Sequence, residues 1–190
     1  MTNSQRITFM GTPNLAVPYL KSLIQNDFNI VAVYTQPPRA KDRGMNIRSS
    51  PIHNIAKINQ IPCFTPLSLN NYEEIKKFEN LKNDLVIVMG YGILLPQDFL
   101  VKPSFGCINI HLSLLPKWRG ASPVEYSLLN GEKETGVTIF KLTKKLDAGP
   151  ILASQKSIVH ELMTKINLQT ELNDIGIKLL IKSLPKFFLG

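Results

Sequence analysis

Short apolar runs alternate along this chain with segments whose apolar residues recur every three or four positions. Residues 30–34 and 85–89 are apolar throughout and rich in β-branched side chains, which is typical of strands in a parallel sheet covered on both faces. Residues 15–25 instead carry apolar side chains at helical spacing. Strands that alternate with helices in this way predict a doubly wound α/β fold.

The same pattern predicts a Rossmann-like, mostly parallel sheet in a single domain of 190 residues. Strands are predicted over residues 6–10, 30–34, 62–64, 84–89, 106–111, 135–141 and 150–157. Helices are predicted over residues 15–25, 51–59, 71–79, 121–129 and 164–184. Residues 36–50 have no periodicity and contain Pro37, Pro38 and Gly44, so a long loop is predicted there.

The strongest candidate chemistry lies at the end of the strand over residues 106–111. Asn109 and His111 are two residues apart, so an amide and an imidazole project from one strand face. Asp147 follows in a tight Leu-Asp-Ala-Gly loop. An amide that polarises a carbonyl, an imidazole that moves protons and a carboxylate that orients it can transfer an acyl group to an amine. On these residues alone, a structural His111 and an ordinary turn residue at Asp147 stay open.

Two glycine-containing turns are predicted at the carboxyl edge of the sheet, where open α/β sheets bind their ligands. One turn is Gly11-Thr12-Pro13, and the other is Gly90-Tyr91-Gly92, after the central strand. Glycine in the second turn lets a flat ligand approach backbone N–H and C=O groups. Neither turn has the G-x-G-x-x-G spacing of a dinucleotide site, and plain turns are the alternative.

The formal net charge of +8 favours a polyanionic partner such as nucleic acid, although evenly spread lysines would give the same balance. The position of the charges along the chain helps to decide between these two alternatives. The predicted loop over residues 36–50 carries a single acid, Asp42, against four cations. Arginines in a flexible loop suit contacts with phosphate, and a merely solvated loop is the alternative. The four cations are Arg39, Lys41, Arg43 and Arg48.

Several classes of protein are disfavoured by the sequence. His53, His111 and His160 lack metal-ligand spacing, and Cys63 and Cys107 form no CxxC pair, so no metal site is predicted. No apolar run reaches the roughly 18 residues that span a membrane, and we expect no secretory or transit segment. Two cysteines without a disulfide framework fit a reducing compartment, so a cytoplasmic protein with no membrane partner is expected.

Together these residues resemble those of the formyltransferase family. Residues 109–116, Asn-Ile-His-Leu-Ser-Leu-Leu-Pro, are similar to its N-x-H and S-L-L-P signature, and Asp147 matches its third active-site residue. Other segments resemble the methionyl-tRNA formyltransferases within this family, along essentially the whole chain. These segments are Phe-Met-Gly-Thr-Pro at residues 9–13, Thr-Gln-Pro at 35–37, Arg-Gly at 43–44, Trp-Arg-Gly-Ala at 118–121 and Glu-Thr-Gly-Val-Thr at 134–138.

The resemblance implies transfer of a formyl group from 10-formyltetrahydrofolate to the amino group of methionine on initiator tRNA, without a metal. It implies catalytic roles for Asn109, His111 and Asp147. It also implies that the basic loop over residues 36–50 enters the tRNA acceptor stem, with Arg43 at the position of the family's tRNA-contacting arginine. The implied folate site comprises Gly90, Tyr91, Gly92, Ile93, Leu94, Ser113, Leu114, Leu115 and Pro116.

The chain departs from the family pattern at three places. Leu112 stands where the family usually has Gly or Pro, and Pro38 stands where Asp is usual. Family members also continue past the position of Gly190 into a barrel-like domain that helps to hold tRNA. Residues 1–190 are therefore expected to be the catalytic domain alone, acting as a monomer. Two alternatives stay open: a formyltransferase acting on a small amine such as glycinamide ribonucleotide, and a non-catalytic remnant that binds folate or RNA.

Overall fold

The computed structural model describes residues 4–41 and 46–189. The chain divides into two compact units, Met1–Cys107 and Ile108–Gly190. The first unit is a parallel sheet with helices, and the second is an antiparallel sheet with helices.

The parallel sheet of the first unit has its strands in the order β5-β2-β1-β6. Neighbouring strands β1 (Ile7–Gly11) and β6 (Leu85–Met89) are buried at every position, as their apolar sequences predict. Strands β2 (Ile30–Tyr34) and β5 (Cys63–Phe64) continue the sheet beyond β1. The strands predicted for these segments are therefore confirmed.

Helices separate the strands of the first unit, as a doubly wound sheet requires. The Ser50 side chain caps the second helix by accepting a hydrogen bond from the His53 N–H at 3.0 Å. The predicted helices are confirmed to within two residues at their ends, and one further short helix was not predicted. The elements are a 3-10 turn at Asn14–Ala16, α1 (Val17–Gln25), α2 (Pro51–Ile58), α3 (Tyr72–Asn80) and the unpredicted α4 (Gln97–Val101).

An aromatic cluster packs the helices of this unit against its sheet. Phe78 on α3 stacks on Phe99 of α4, with ring centroids 4.0 Å apart. Tyr34 of β2 meets Phe99 edge-on at 6.2 Å. Pairs of this kind contribute about 0.5–1.5 kcal/mol each beyond the area that they bury. The short helix α4 is therefore stabilised by the burial of Phe99 rather than by its own length.

The basic segment is not a loop throughout, so the prediction for residues 36–50 is wrong in part. Strands β3 (Arg39–Lys41) and β4 (Asn46–Arg48) pair antiparallel, with Arg39 opposite Arg48. Apolar periodicity was the signal used in the prediction. A two-stranded ribbon is held by backbone hydrogen bonds, which need no such periodicity.

The second unit contains strands that run antiparallel in the order β7-β8-β9. Strand β7 spans Cys107–His111, β8 spans Glu134–Lys141 and β9 spans Ile151–Ile158. Each follows its predicted segment to within one residue. The helices of this unit are α5 (Pro123–Leu129) and α6 (Lys165–Leu189).

Helix α6 packs on β8 and β9 through a stripe of buried residues spaced four apart. The helix continues through Pro185 to Leu189, so its predicted end at residue 184 is wrong. Proline removes one backbone hydrogen bond from a helix, which made it the expected stop. Burial of the preceding residue keeps the last turn in place. The buried stripe comprises Leu168, Leu172, Gly176, Leu180 and Leu184.

Within residues 4–41 and 46–189, no helix is long and apolar enough to cross a membrane. The described side chains also include no group of three or more His, Cys, Asp or Glu residues that could hold a metal ion. Neither cysteine forms a disulfide. The buried Cys107 thiol donates a hydrogen bond to the Phe99 carbonyl at 3.1 Å, whereas Cys63 is only partly buried.

The reactivity of Cys63 should report its burial in the sheet. Loss of hydration raises the pKa of this thiol from 9.0 to about 11. We expect its alkylation by iodoacetamide, followed by mass spectrometry, to accelerate up to about pH 11 in the native protein. The Cys63→Ala variant should lose the native-state reaction, because Cys107 is inaccessible. An alkylation rate that levels off at the same pH in the native protein and in the denatured chain would contradict the prediction.

Candidate active site

Strand β7 presents Asn109 and His111 on one face, which confirms the expectation from their spacing. Asn109 pairs with Phe140 on β8, and His111 pairs with Thr138. Side chains of directly opposed residues lie on the same face of an antiparallel pair. These four side chains therefore define one surface of the second unit.

The imidazole of His111 is positioned at both of its nitrogen atoms. Nε2 lies 2.7 Å from the carbonyl oxygen of Trp118, and Nδ1 lies 3.9 Å from Oδ2 of Asp147. A carbonyl oxygen only accepts hydrogen bonds, so Nε2 must carry the hydrogen and donate it to Trp118. In the neutral ring, Nδ1 then holds the lone pair. Nδ1 is therefore the atom that can take up a proton.

Apolar packing limits the movement of the His111 ring. The side chain of Phe140 is fully buried and meets the imidazole edge-on, with centroids 6.5 Å apart and planes at 86°. His111 itself is only 6% exposed. In such a site, charges interact more strongly than they do in water, because little solvent screens them.

Asp147 approaches His111 from the turn between β8 and β9. Its φ of 44° is left-handed, a conformation that Asp tolerates better than most residues. Its Oδ2 accepts a hydrogen bond from the Gly120 N–H at 2.7 Å. A side chain at Gly149 would collide with the carbonyl oxygen of Lys141, so glycine is required for this turn to fold against β8. The Asp-Ala-Gly turn thus serves to position the carboxylate.

The amide of Asn109 is available to a ligand. Its side chain is partly exposed, and no residue in the described part of the chain hydrogen-bonds to it. A free amide N–H beside an imidazole can donate to a carbonyl oxygen that gains negative charge during acyl transfer. The surface therefore combines an oxyanion donor, a proton-accepting nitrogen and a buried carboxylate.

The loop over residues 112–120 is folded back by hydrogen bonds that its residue types did not predict. The Thr138 hydroxyl donates to the Ser113 carbonyl at 2.7 Å and accepts from the Leu115 N–H at 3.1 Å. The Ser113 hydroxyl donates to the Lys117 carbonyl at 2.6 Å. These bonds turn the chain so that Trp118 presents its carbonyl to the imidazole. Thr138 lies in residues 134–138, which resemble the family, and this resemblance is the sequence signal that could have identified it.

The predicted folate residues of this loop differ in their exposure. Ser113 is buried, Leu114 and Leu115 are partly exposed, and Pro116 is exposed after a cis peptide bond. Leu112, which departs from the family pattern, is 3% exposed and leaves the His111–Trp118 contact in place. The role of these residues in binding folate stays a prediction.

The predicted folate segment of the first unit lies at the carboxyl edge of its parallel sheet. The Tyr91 carbonyl accepts hydrogen bonds from Thr12 Oγ1 and Gln36 Nε2, each at 3.0 Å. Gly90 and Gly92 have φ values of 60° and 79°, which glycine adopts without steric cost. The three loops that follow β1, β2 and β6 are thus tied together. Within the remaining segment, Ile93 is partly exposed and Leu94 is exposed.

Two phenols of the first unit are fixed in their neutral form. Burial raises the pKa values of Tyr34 and Tyr91, and the carboxylate of Glu74 adds to the shift. Neither hydroxyl has a hydrogen-bond partner among the residues that the structure describes. They can serve a ligand only as neutral groups.

Three of the four cations predicted to contact tRNA belong to strands β3 and β4. Arg39 and Lys41 belong to β3, and Arg48 ends β4. Arg43 lies outside the described residues. Contact of these residues with RNA stays a prediction.

The fold and the Asn–His–Asp site define a protein of the formyl transferase family. A profile of this family, described as Formyl transferase, matches residues 5–184. The chain therefore belongs to the formyl transferase family, and the family resemblance predicted from the sequence is confirmed.

Curated relatives show which members of the family this chain is similar to. The methionyl-tRNA formyltransferase of Bartonella bacilliformis is 46% identical over 186 residues, which cover 97% of this chain and 60% of the relative. The enzyme of the same name from Methylococcus capsulatus is 43% identical, with 95% and 58% covered. The chain thus spans about 60% of the length of the curated relatives that it matches.

Solved structures confirm the predicted α/β, Rossmann-like fold. Phosphoribosylglycinamide formyltransferase from Bacillus halodurans superposes with a TM-score of 0.81, covering 96% of this chain and 94% of the other at 22% identity. A formyltetrahydrofolate deformylase from Pseudomonas syringae gives 0.76, covering 95% and 60% at 22% identity. At this identity the similarity establishes the fold alone.

The Thr138 hydroxyl should stabilise the loop that holds the imidazole. Thr138→Val leaves the buried Ser113 carbonyl and the Leu115 N–H without this partner, which should lower the free energy of unfolding by about 1–3 kcal/mol. Thr138→Ser keeps both hydrogen bonds and should recover most of this loss. Denaturant titration measures the difference. As a matched control, Thr170→Val removes an exposed hydroxyl from α6 and should cost much less. Equal losses at the two threonines would contradict the prediction.

Proposed function

We propose that residues 1–190 form the catalytic domain of an enzyme that transfers a formyl group from 10-formyltetrahydrofolate to the amino group of methionyl-initiator tRNA. The observation that carries this proposal is the arrangement around His111. Its Nδ1 faces Asp147 at 3.9 Å while Nε2 is occupied by the Trp118 carbonyl, and the free amide of Asn109 projects from the same face. The name of the curated relatives supports the acceptor and the group that is transferred.

The reaction begins when the neutral methionyl amine attacks the formyl carbon. A new C–N bond forms, and the formyl oxygen becomes the oxyanion of a tetrahedral intermediate. The Asn109 amide donates a hydrogen bond to this oxygen and lowers the barrier. Because the amide has no other partner among the described residues, it need not break a hydrogen bond to do so.

Proton transfer then uses the free nitrogen of His111. Nδ1 accepts the proton from the attacking amine and passes it to the departing folate nitrogen as the C–N bond to folate breaks. The carboxylate of Asp147 attracts the positive charge that the ring carries between these steps. The Trp118 carbonyl keeps the ring in the orientation that leaves Nδ1 free.

Folate binding is proposed for residues 90–94 of the first unit and, separately, for residues 113–116 of the second unit. The cations of residues 36–50 bind the acceptor stem through its phosphates. They are Arg39, Lys41, Arg43 and Arg48.

The assay that tests this function supplies labelled 10-formyltetrahydrofolate with charged initiator tRNA and measures formyl-methionyl-tRNA. His111→Ala should lower kcat by about 100- to 10,000-fold, the usual contribution of general acid–base catalysis. His160→Ala, a matched change at an exposed histidine, should leave the rate unchanged. Formylation that survives His111→Ala would overturn the mechanism, and no formylation by the folded wild-type chain would overturn the function.

A second candidate is a formyltransferase acting on a small amine. The observation that favours it is the similarity of fold to phosphoribosylglycinamide formyltransferase from Bacillus halodurans, with a TM-score of 0.81. The same assay with glycinamide ribonucleotide as acceptor separates the two. Product with this amine alone would replace the tRNA proposal.

The basic segment over residues 36–50 should affect tRNA use selectively. Arg43→Ala should raise the KM for charged tRNA and reduce the slope of log KM against log salt by about one, because one phosphate contact is lost. The affinity for folate should stay unchanged. Lys21→Ala removes the same charge from the exposed surface of α1 and serves as the control. An equal loss of folate and tRNA binding in Arg43→Ala would refute this role.

A further inference from the structure

Trp118 and Tyr126 form a parallel aromatic stack in the second unit. Their ring planes differ by 8°, and their centroids lie 5.7 Å apart. Trp118 is partly buried, whereas 50% of the Tyr126 side chain is exposed. Because Trp118 covers one face of the tyrosine ring, the exposed half is open to a further planar group.

The backbone of Trp118 connects the stack to the His111 site. The backbone carbonyl of Trp118 is the group that binds Nε2 of His111, so the indole projects from a residue that already contacts the imidazole. The next residue, Arg119, is exposed and has no acidic partner in the described part of the chain. By contrast, Lys117 pairs with Glu132. A ring platform and an uncompensated guanidinium thus lie side by side in the sequence beside the site.

We propose that the Trp118–Tyr126 stack binds the unpaired base at the 3′ end of the RNA whose aminoacyl ester is formylated. The proposal rests on the proposed function for the identity of the acceptor. The terminal base stacks on the open part of Tyr126, and Arg119 contacts a neighbouring phosphate. Stacking tolerates any base and needs no base-specific hydrogen bond, which suits a single-stranded end.

The charges around the stack favour a nucleic-acid base as its ligand over an apolar surface of a protein partner. Glu125, the acid next to Tyr126, is paired with Lys165, and this hydrogen bond lowers the pKa of its carboxyl group. The neighbouring acids are therefore neutralised by lysines, while the guanidinium of Arg119 stays available. An aromatic ring beside a free cation is the combination that single-stranded nucleic acid recognises.

The experiment uses Trp118 as its own reporter, because it is the single tryptophan of the chain. The RNA trinucleotide CCA should quench its fluorescence. The same trinucleotide with an abasic 3′ residue should bind about 10-fold more weakly. Tyr126→Leu should weaken CCA binding to a similar degree, whereas Tyr126→Phe should not. Tyr72→Leu changes an exposed tyrosine of the first unit and is the matched control.

No formyl donor is present in this titration, so its result does not depend on turnover. Equal binding of the intact and abasic trinucleotides, an absence of quenching, or unchanged affinity in Tyr126→Leu would overturn the platform. The comparison of the two trinucleotides needs no variant, so it decides the question even if Tyr126→Leu fails to fold. If formyl transfer occurs, Tyr126→Leu should also raise the KM for charged tRNA about 10-fold without lowering kcat.

Discussion

The hydrogen bond from His111 Nε2 to the Trp118 carbonyl is the constraint on which the site depends. It fixes which nitrogen carries hydrogen in the neutral ring, and it directs the other nitrogen towards Asp147. A backbone acceptor is well suited to this task, because it has no protonation state of its own and cannot exchange roles with the imidazole. Any change that moves the carbonyl therefore removes the contact that fixes the tautomer of the neutral ring.

The loop and the turn that meet at His111 pack closely against β8. A Cβ at Gly136 would collide with the carbonyl of Gln155 on β9 and crowd Leu114 of the loop. Gly149 plays the corresponding part for Lys141 in the turn that carries Asp147. A glycine within β8 and a glycine in the turn that follows it thus let the loop and the turn approach the strand. Close approach of the backbone thus adds to the packing of Phe140 in holding His111 and Asp147.

The sequence predicted the elements whose burial is encoded by apolar spacing, and it predicted Asn109, His111 and Asp147 as a set. Spacing along β7 was enough to place the first two on one face, because strand geometry has a strict period. The paired strands Arg39–Lys41 and Asn46–Arg48 and the helix at Gln97–Val101 escaped prediction, since none of them shows a periodic apolar run of useful length. Backbone partners such as the Trp118 carbonyl and the Gly120 N–H escaped for a different reason. Every residue has these groups, so no residue type marks the ones that act.

The net charge of the sequence could not identify a partner either, because it does not show which cations are paired. Several lysines of the second unit are paired with glutamates on the surface, as Lys156 is with Glu134 at 2.8 Å. Exposed pairs of this kind contribute little to stability, but they neutralise local charge. The net charge of +8 must therefore be carried by cations that lack such partners, and Arg119 beside the His111 site is one of them. A polyanion would thus be attracted by the charges that remain unpaired, rather than by the total.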